Sequence, residues 1–136
     1  MSTKKKSGFI QTTGTRKRAI AKAVLKPGKG IVRVNNILLE NVSNDLSRSR
    51  IKEPIILAGD VAKKVDVEVD VFGGGWQGQA SAVRLAIARA LVNLEPKLKK
   101  VFLTYDRNLL IADIRRKEMR KPNDSKARAG RQKSYR

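Results

Sequence analysis

The sequence contains no cysteine and no histidine. The first absence excludes a disulfide framework and a zinc ribbon. The second removes the commonest acid–base catalyst and the commonest metal ligand. Long apolar runs are also missing: none approaches the roughly 18 residues of a membrane-spanning helix. The first residues, MSTKKKSGF, carry charge with no apolar stretch behind it, which does not fit a secretory signal. No basic amphipathic helix is evident that would anchor the chain on a membrane surface. The expectation is a soluble intracellular protein with no membrane partner. Acids are scarce as well: 12 Asp and Glu stand against 31 Lys and Arg, a net charge of +19 with pI near 10.9. That balance calls for a partner supplying negative charge. Self-repulsion at such a charge disfavours the compact state, so the partner helps to hold the fold.

The excess charge is concentrated. Residues 115–136 hold ten Lys or Arg and two acids. Only Met119 and Tyr135 among them could join a core, and Pro122 and Gly130 interrupt any regular pattern. Such a segment cannot offset its ordering entropy by burial, so free in water it should be disordered and should order against a polyanion. From Phe9 to Arg33 there is no acid at all, so that edge is basic too. The expected organisation is a flexible N-terminus at 1–8, one globular domain at 9–113 that binds a polyanion, and an extended basic tail at 114–136. About 110 residues are enough for one modest core.

Within the body, residues 18–25 suit a strand with Ile20 and Val24 on one side. Lys26-Pro27-Gly28-Lys29 has the type II turn signature. Residues 31–34 read as a strand, Asn35-Asn36 as a two-residue hairpin loop and residues 37–40 as the return strand. Ser43 is positioned to cap a short helix ending near Ile51. Pro54 suits the first turn of a second short helix, closed by Gly59. Residues 65–71, VDVEVDV, alternate fully, which puts Val65, Val67, Val69 and Val71 on a core face and Asp66, Glu68 and Asp70 on the other. After the glycine-rich stretch 73–78, a helix from about Gln79 to Asn93 carries Val83, Ile87, Ala90, Leu91 and Leu94 at helical spacing. Pro96 restarts a shorter helix through Leu103, and residues 106–113 form a short apolar connection.

Three clusters invite a chemical reading. Gly73, Gly75 and Gly78 spell G-x-G-x-x-G between a strand and a helix, literally a dinucleotide fingerprint. The preceding strand alternates with acids that would repel a pyrophosphate, whereas the central strand of such a fold is buried on both faces. No second β-α-β half follows, and no Lys-Ser/Thr follows the glycines. A tight strand-to-helix connection needing close backbone approach explains them better, with a phosphate at the helix N-terminus as an intermediate possibility. Asp66, Glu68 and Asp70 could imitate a metal cluster, but i and i+2 side chains on a strand stand roughly 7 Å apart. A solvated or Lys-paired face fits better, and no metal is expected. Thr13-Gly14-Thr15-Arg16-Lys17-Arg18 puts hydroxyls beside three consecutive cations and reads as phosphate contact rather than a solvated run. Tyr105-Asp106-Arg107 is either a local ion pair or an orienting group for the tail root.

At the glycine loop these residues meet a known pattern. GGGWQGQASAVRLAIARAL, residues 73–91, resembles the signature of the universal small-subunit ribosomal protein nine family, through Gly74, Gly75, Gly78, Gln79, Ala82, Ala86, Ala88, Arg89, Ala90 and Leu91. The stretch from Thr13 to Ala21 looks like the family's opening strand. Glu53-Pro54 and Leu57-Ala58-Gly59 look like its middle helix, and Tyr105-Asp106-Arg107, Asp113 and Arg115-Arg116 like the junction to its tail. Lys121-Pro122-Asn123 and the ending RQKSYR look like the archaeal and eukaryotic-type branch. Asn36 departs from the pattern, where Gly often follows Asn, and so does Ile114, where Ser is common.

The resemblance implies an α+β fold, a small sheet packed by helices, with a long basic unstructured C-terminal tail. It implies a structural, non-enzymatic protein of the cytoplasmic ribosome, needing no cofactor, bound to rRNA in the head of the small subunit and flanked by neighbouring head proteins. The expected rRNA contacts are Arg16, Lys17, Arg18, Arg115, Arg116, Lys117, Arg120, Lys121, Lys126, Arg128, Arg131 and Lys133. Carried over from the family, Tyr135 and Arg136 would approach P-site tRNA. Two other classes remain distinguishable by experiment. A free nucleic-acid-binding module would take duplex DNA of any source, and a small nucleotide-binding enzyme would bind a dinucleotide or nucleoside triphosphate saturably.

Overall fold

The computed structural model describes residues 8–122, 126–128, 130 and 134–135. It is an α+β fold in which a five-stranded sheet carries its helices on one face. The strands are β1 (Ile10–Arg16), β2 (Ala19–Pro27), β3 (Val32–Val34), β4 (Ile37–Leu38) and β5 (Val65–Phe72), in the order β1-β2-β5-β3-β4. The β1–β2, β2–β5 and β3–β4 pairs are antiparallel, and β3 runs parallel to β5. The helices are α1 (Asp45–Ala58), α2 (Trp76–Leu94) and α3 (Leu98–Tyr105).

The strand β5 follows its alternation. Val65, Val67, Val69 and Val71 are buried, while Glu68 and Asp70 are exposed. The outward acids meet cations: Lys26 Nζ binds Glu68 Oε2 at 2.8 Å, and Lys22 is the register partner of Asp70. The neighbouring β2 alternates as well. Ile20 and Val24 do share a side, but it is the outer one, and Ala19, Ala21, Ala23 and Leu25 fill the core. The reason is the closeness of α2. This helix packs on β1 and β2 through small residues, and a methyl added to Gly14 would collide with the Ala82 carbonyl and the Ala86 amide. Thr12 Oγ1 donates to the Ala86 carbonyl at 2.8 Å across the same contact. Ala19, Ala21 and Ala23 leave room for that approach, and the larger Leu25 takes its inward position towards the end of the strand.

With α1 packed against its other side, α2 is buried nearly all round, so Val83, Ile87 and Leu91 are almost completely covered. Full burial of side chains of this size contributes about 1.5–3 kcal/mol each. Leu94, expected on the same face, lies exposed at the helix end. Phe102 of α3 and Leu109 in the turn beyond it close the core.

Other local expectations are revised. The hairpin at Asn35-Asn36 forms with both residues at positive φ, 49° and 66°, as a type I′ turn requires. The return strand is shorter, since residues 39–41 make a 3-10 turn. The cap of α1 is Asn44, not Ser43: its Oδ1 accepts from the Leu46 and Ser47 amides. The helix then runs unbroken through Pro54, whose ring is fully buried, instead of splitting there. Gly59 ends it with φ 56°, as expected. Gly28 does not take the positive φ of a type II turn; Gly30 does, at 91°. Gly28 is small for another reason: a Cβ there would strike the Asp66 carboxylate, which accepts from the Lys29 and Ile31 amides at 2.8 and 2.9 Å.

Candidate nucleic-acid interface

Three separate stretches of chain converge at one end of the sheet. The first is the β1–β2 hairpin tip, where Lys17 takes φ 55° and both Lys17 and Arg18 point into solvent. The second is the glycine loop. Gly73 and Gly74 have φ of 78° and 66°, and side chains there would crowd the backbone of Arg18 and Ala19. Gly78 lies against the Arg16 carbonyl and Ala19, and Gln79 Nε2 closes the loop by donating to the Gly73 carbonyl at 3.2 Å. The glycines therefore serve close approach to the hairpin. The third is the root of the tail, residues 115–120.

Between them lies an open groove of about 1120 Å³, bordered by Arg16, Lys17, Arg18, Arg115, Arg116, Lys117 and Arg120 with the single acid Glu118. Gly74, Gly75, Gln77, Gly78 and Met119 complete its wall. The helix α2 begins here, with Gly75 at its N-cap, no side-chain cap and no acid in its first turn. A helix N-terminus carries partial positive charge and free N–H groups, so it adds to the field of the cations.

The arginines of this region differ in their work. Arg16 Nη2 pairs with Asp113 Oδ2 at 3.3 Å and Nη1 donates to the Arg115 carbonyl at 3.5 Å. Arg89, half-buried in α2, donates from Nη1 to the Thr13 carbonyl at 2.8 Å and from Nε to the Leu110 carbonyl at 3.1 Å. It is a tie between strand, helix and tail root. Asp113 accepts from the Arg115 amide at 2.9 Å and from its guanidinium at 2.7 Å. Those Arg115 bonds, with Arg16 adding its charge, hold the Asp113 carboxyl far below the usual carboxylate range. The Tyr105-Asp106-Arg107 group resolves differently from either expectation. Asp106 pairs with Arg84 at 2.9 Å and caps the following turn through the Asn108 amide, while Arg84 also reaches Glu53 of α1 at 2.5 Å. It locks helices together and leaves the tail root to Asp113.

Beyond Ala112 the described residues form no helix or strand. Ile114 is 90% exposed and Met119 83%, so neither adds to the core. Lys121 and Arg128 pair with Glu118 at 3.5 and 2.7 Å, exposed ion pairs worth under about 1 kcal/mol. Lys126 and Tyr135 are exposed. Arg131, Lys133 and Arg136, together with residues 1–7, lie outside the described residues. Among the described residues no group of three or more acids could hold a metal ion, and no helix is long and apolar enough to cross a membrane.

Sequence reasoning had the cations of this groove but not Asp113 as their pivot or Gln77 in the wall. A lone acid followed two residues later by Arg was the available signal.

Comparison with known proteins gives a consistent picture. The family model described as ribosomal protein S9/S16 matches residues 14–136. The small ribosomal subunit protein uS9 of Pyrobaculum aerophilum is 47% identical over 129 residues, spanning 93% of this chain and 91% of the relative. That of Methanothrix thermoacetophila is 46% identical over 129 residues, 93% of this chain and 98% of its own length. That of Thermoplasma volcanium is 47% identical over 130 residues, with 94% and 98% covered.

Proposed function

The chain belongs to the ribosomal protein S9/S16 family, and from that premise we propose that it is a structural, non-enzymatic constituent of the small ribosomal subunit that binds rRNA in the subunit head and extends its tail toward P-site tRNA. Residues 9–113 dock as a preshaped body, and residues 114–136 thread onward between RNA helices. The observation that carries this reading is the groove: seven cations from two stretches of chain, one acid, and an uncapped helix N-terminus at its wall. Phosphates entering it meet guanidiniums at Arg18, Arg116 and Arg120 and point charges at Lys17 and Lys117, while Arg16 and Arg115, bonded to Asp113, add to the positive field.

A groove of this kind reads the shape and backbone of RNA rather than base edges. Lys121, Lys126 and Arg128 continue the basic track along the tail, with Arg131 and Lys133 following in sequence. At the end, Tyr135 is 89% exposed and offers a free ring for stacking. Arg136 adds a guanidinium beside it, so the tip offers a positioning contact to tRNA.

Neutralising phosphates releases counterions, so binding of the full chain to small-subunit rRNA should weaken steeply with salt, at about 0.7–0.9 log units per log unit of salt for each contact. A flat salt dependence would refute the groove as the binding surface. Deleting residues 134–136 should leave assembly intact and weaken P-site tRNA holding slightly; subunits with unchanged tRNA affinity and decoding accuracy would remove the tRNA part of the proposal.

A further inference from the structure

The strand β1 lies at the open edge of the sheet. An exposed edge offers unpaired backbone groups to any passing strand unless something covers it. Here the chain from Leu110 to Arg115 is tied back to β1 at two points. Arg89 spans the Thr13 and Leu110 carbonyls at one end. Arg16 spans Asp113 and the Arg115 carbonyl at the other. Asp113 is the pivot of the second tie, because it also accepts from the Arg115 amide and guanidinium. Its side chain is only 13% exposed, against 78% for Arg115.

We propose that Arg89 and Asp113 are positioning residues, forming a strap that fastens the tail root along β1 in the free protein and so builds the groove before RNA arrives. The groove has no other fixed wall on that side: Arg115, Arg116, Lys117 and Arg120 all belong to the tail root. An acid beside a phosphate site weakens its attraction for RNA. What Asp113 provides in exchange is geometry, since it determines where those four cations stand. Ordering a segment in advance removes that entropy loss from the binding step. The consequence for RNA rests on the function proposed above; the strap itself does not.

The two accounts of Asp113 predict opposite signs. If only charge matters, Asp113→Ala makes the groove more positive and should tighten RNA binding. If the strap matters, the same change should weaken it. Hydrogen exchange in the full chain, without RNA, tests the strap directly. The Arg115 amide should be protected in the wild type and exchange about tenfold faster in Asp113→Ala, while the amides of β2 and β5 stay unchanged and report an intact fold. Equal exchange in the two proteins, or no protection in the wild type, would overturn the proposal.

Titration of a full-length small-subunit rRNA transcript then gives the second readout. Asp113→Ala should bind roughly three- to tenfold more weakly, the size expected when one or two side chains must be ordered on binding, with the salt slope unchanged because no cation is lost. Arg89→Gln should shift affinity the same way. Tighter or unchanged binding by Asp113→Ala overturns the strap's role. Absence of binding by the wild type would instead overturn the proposed function, leaving the strap to be judged on exchange.

Discussion

The helix α2 takes part in two contacts of opposite character. Along its length it meets the sheet through Gly14, Ala19, Ala21, Ala23, Ala82 and Ala86, where position is set by the absence of side chains. At its N-terminus it opens into a groove walled by long cationic side chains. The first contact is dry and close, so a single added methyl group is felt. The second is wet and adjustable, so individual charges should be replaceable while their sum matters. On the proposed function, stability and RNA binding therefore reside in different parts of the same helix's surroundings.

The most severe way to break the close contact is Gly14→Ala. The new methyl group meets backbone rather than a movable side chain, and overpacking of that kind costs about 3 kcal/mol, the upper end of the usual range. Denaturant unfolding should show the loss; a variant as stable as the wild type would mean that α2 can slide off β1, and the packing account would fail.

The groove should behave in the reverse manner. Replacing Arg116, Lys117 and Arg120 together by Ala should change stability by no more than about 0.5 kcal/mol, as for exposed sites generally. The rRNA salt slope should nonetheless fall by about 2–3, one phosphate contact for each cation. A large loss of stability with an unaltered slope would invert the comparison.

The smallest expected effect concerns pH. The folded carboxyl of Asp113 is held well below its ordinary value by Arg115 and then Arg16. A depressed carboxyl stabilises the fold at pH above the unfolded value, about 3.9, and that contribution is lost as pH falls below it toward the folded value. The Arg115 amide chemical shift should therefore stay constant from pH 8 to 5 and move only in stronger acid. Movement between pH 7 and 5 would show that Asp113 is not held as described.

What could be read from the sequence divides along the same line. The strand β5 was legible because its two faces differ in kind, valine against acid. The hairpin at Asn35-Asn36 was legible because its chemistry is local. The strand β2 was legible as a strand with Ile20 and Val24 on one side; that side also carries Lys22 and Lys26 and faces outward, and the nearness of α2 explains why alanine goes inward. At α1, Ser43 and Asn44 are both capable caps, and the backbone path selects Asn44. Pro54 suggested a helix start, yet it lies inside α1, buried against the core. In the interface, charge was legible and partnership was not. Arg16 looked like one more cation of a basic run, but its partners, Asp113 and Arg115, lie at the far end of the chain. No local pattern encodes such a pairing.

The central claim is that this basic body and tail serve one RNA assembly, the small ribosomal subunit. Sucrose-gradient sedimentation of the tagged full chain from its own cells tests it most directly. The account predicts one copy per small subunit, co-sedimenting at moderate salt. Protein remaining at the top of the gradient, or travelling with duplex DNA while small subunits lack it, would contradict the account.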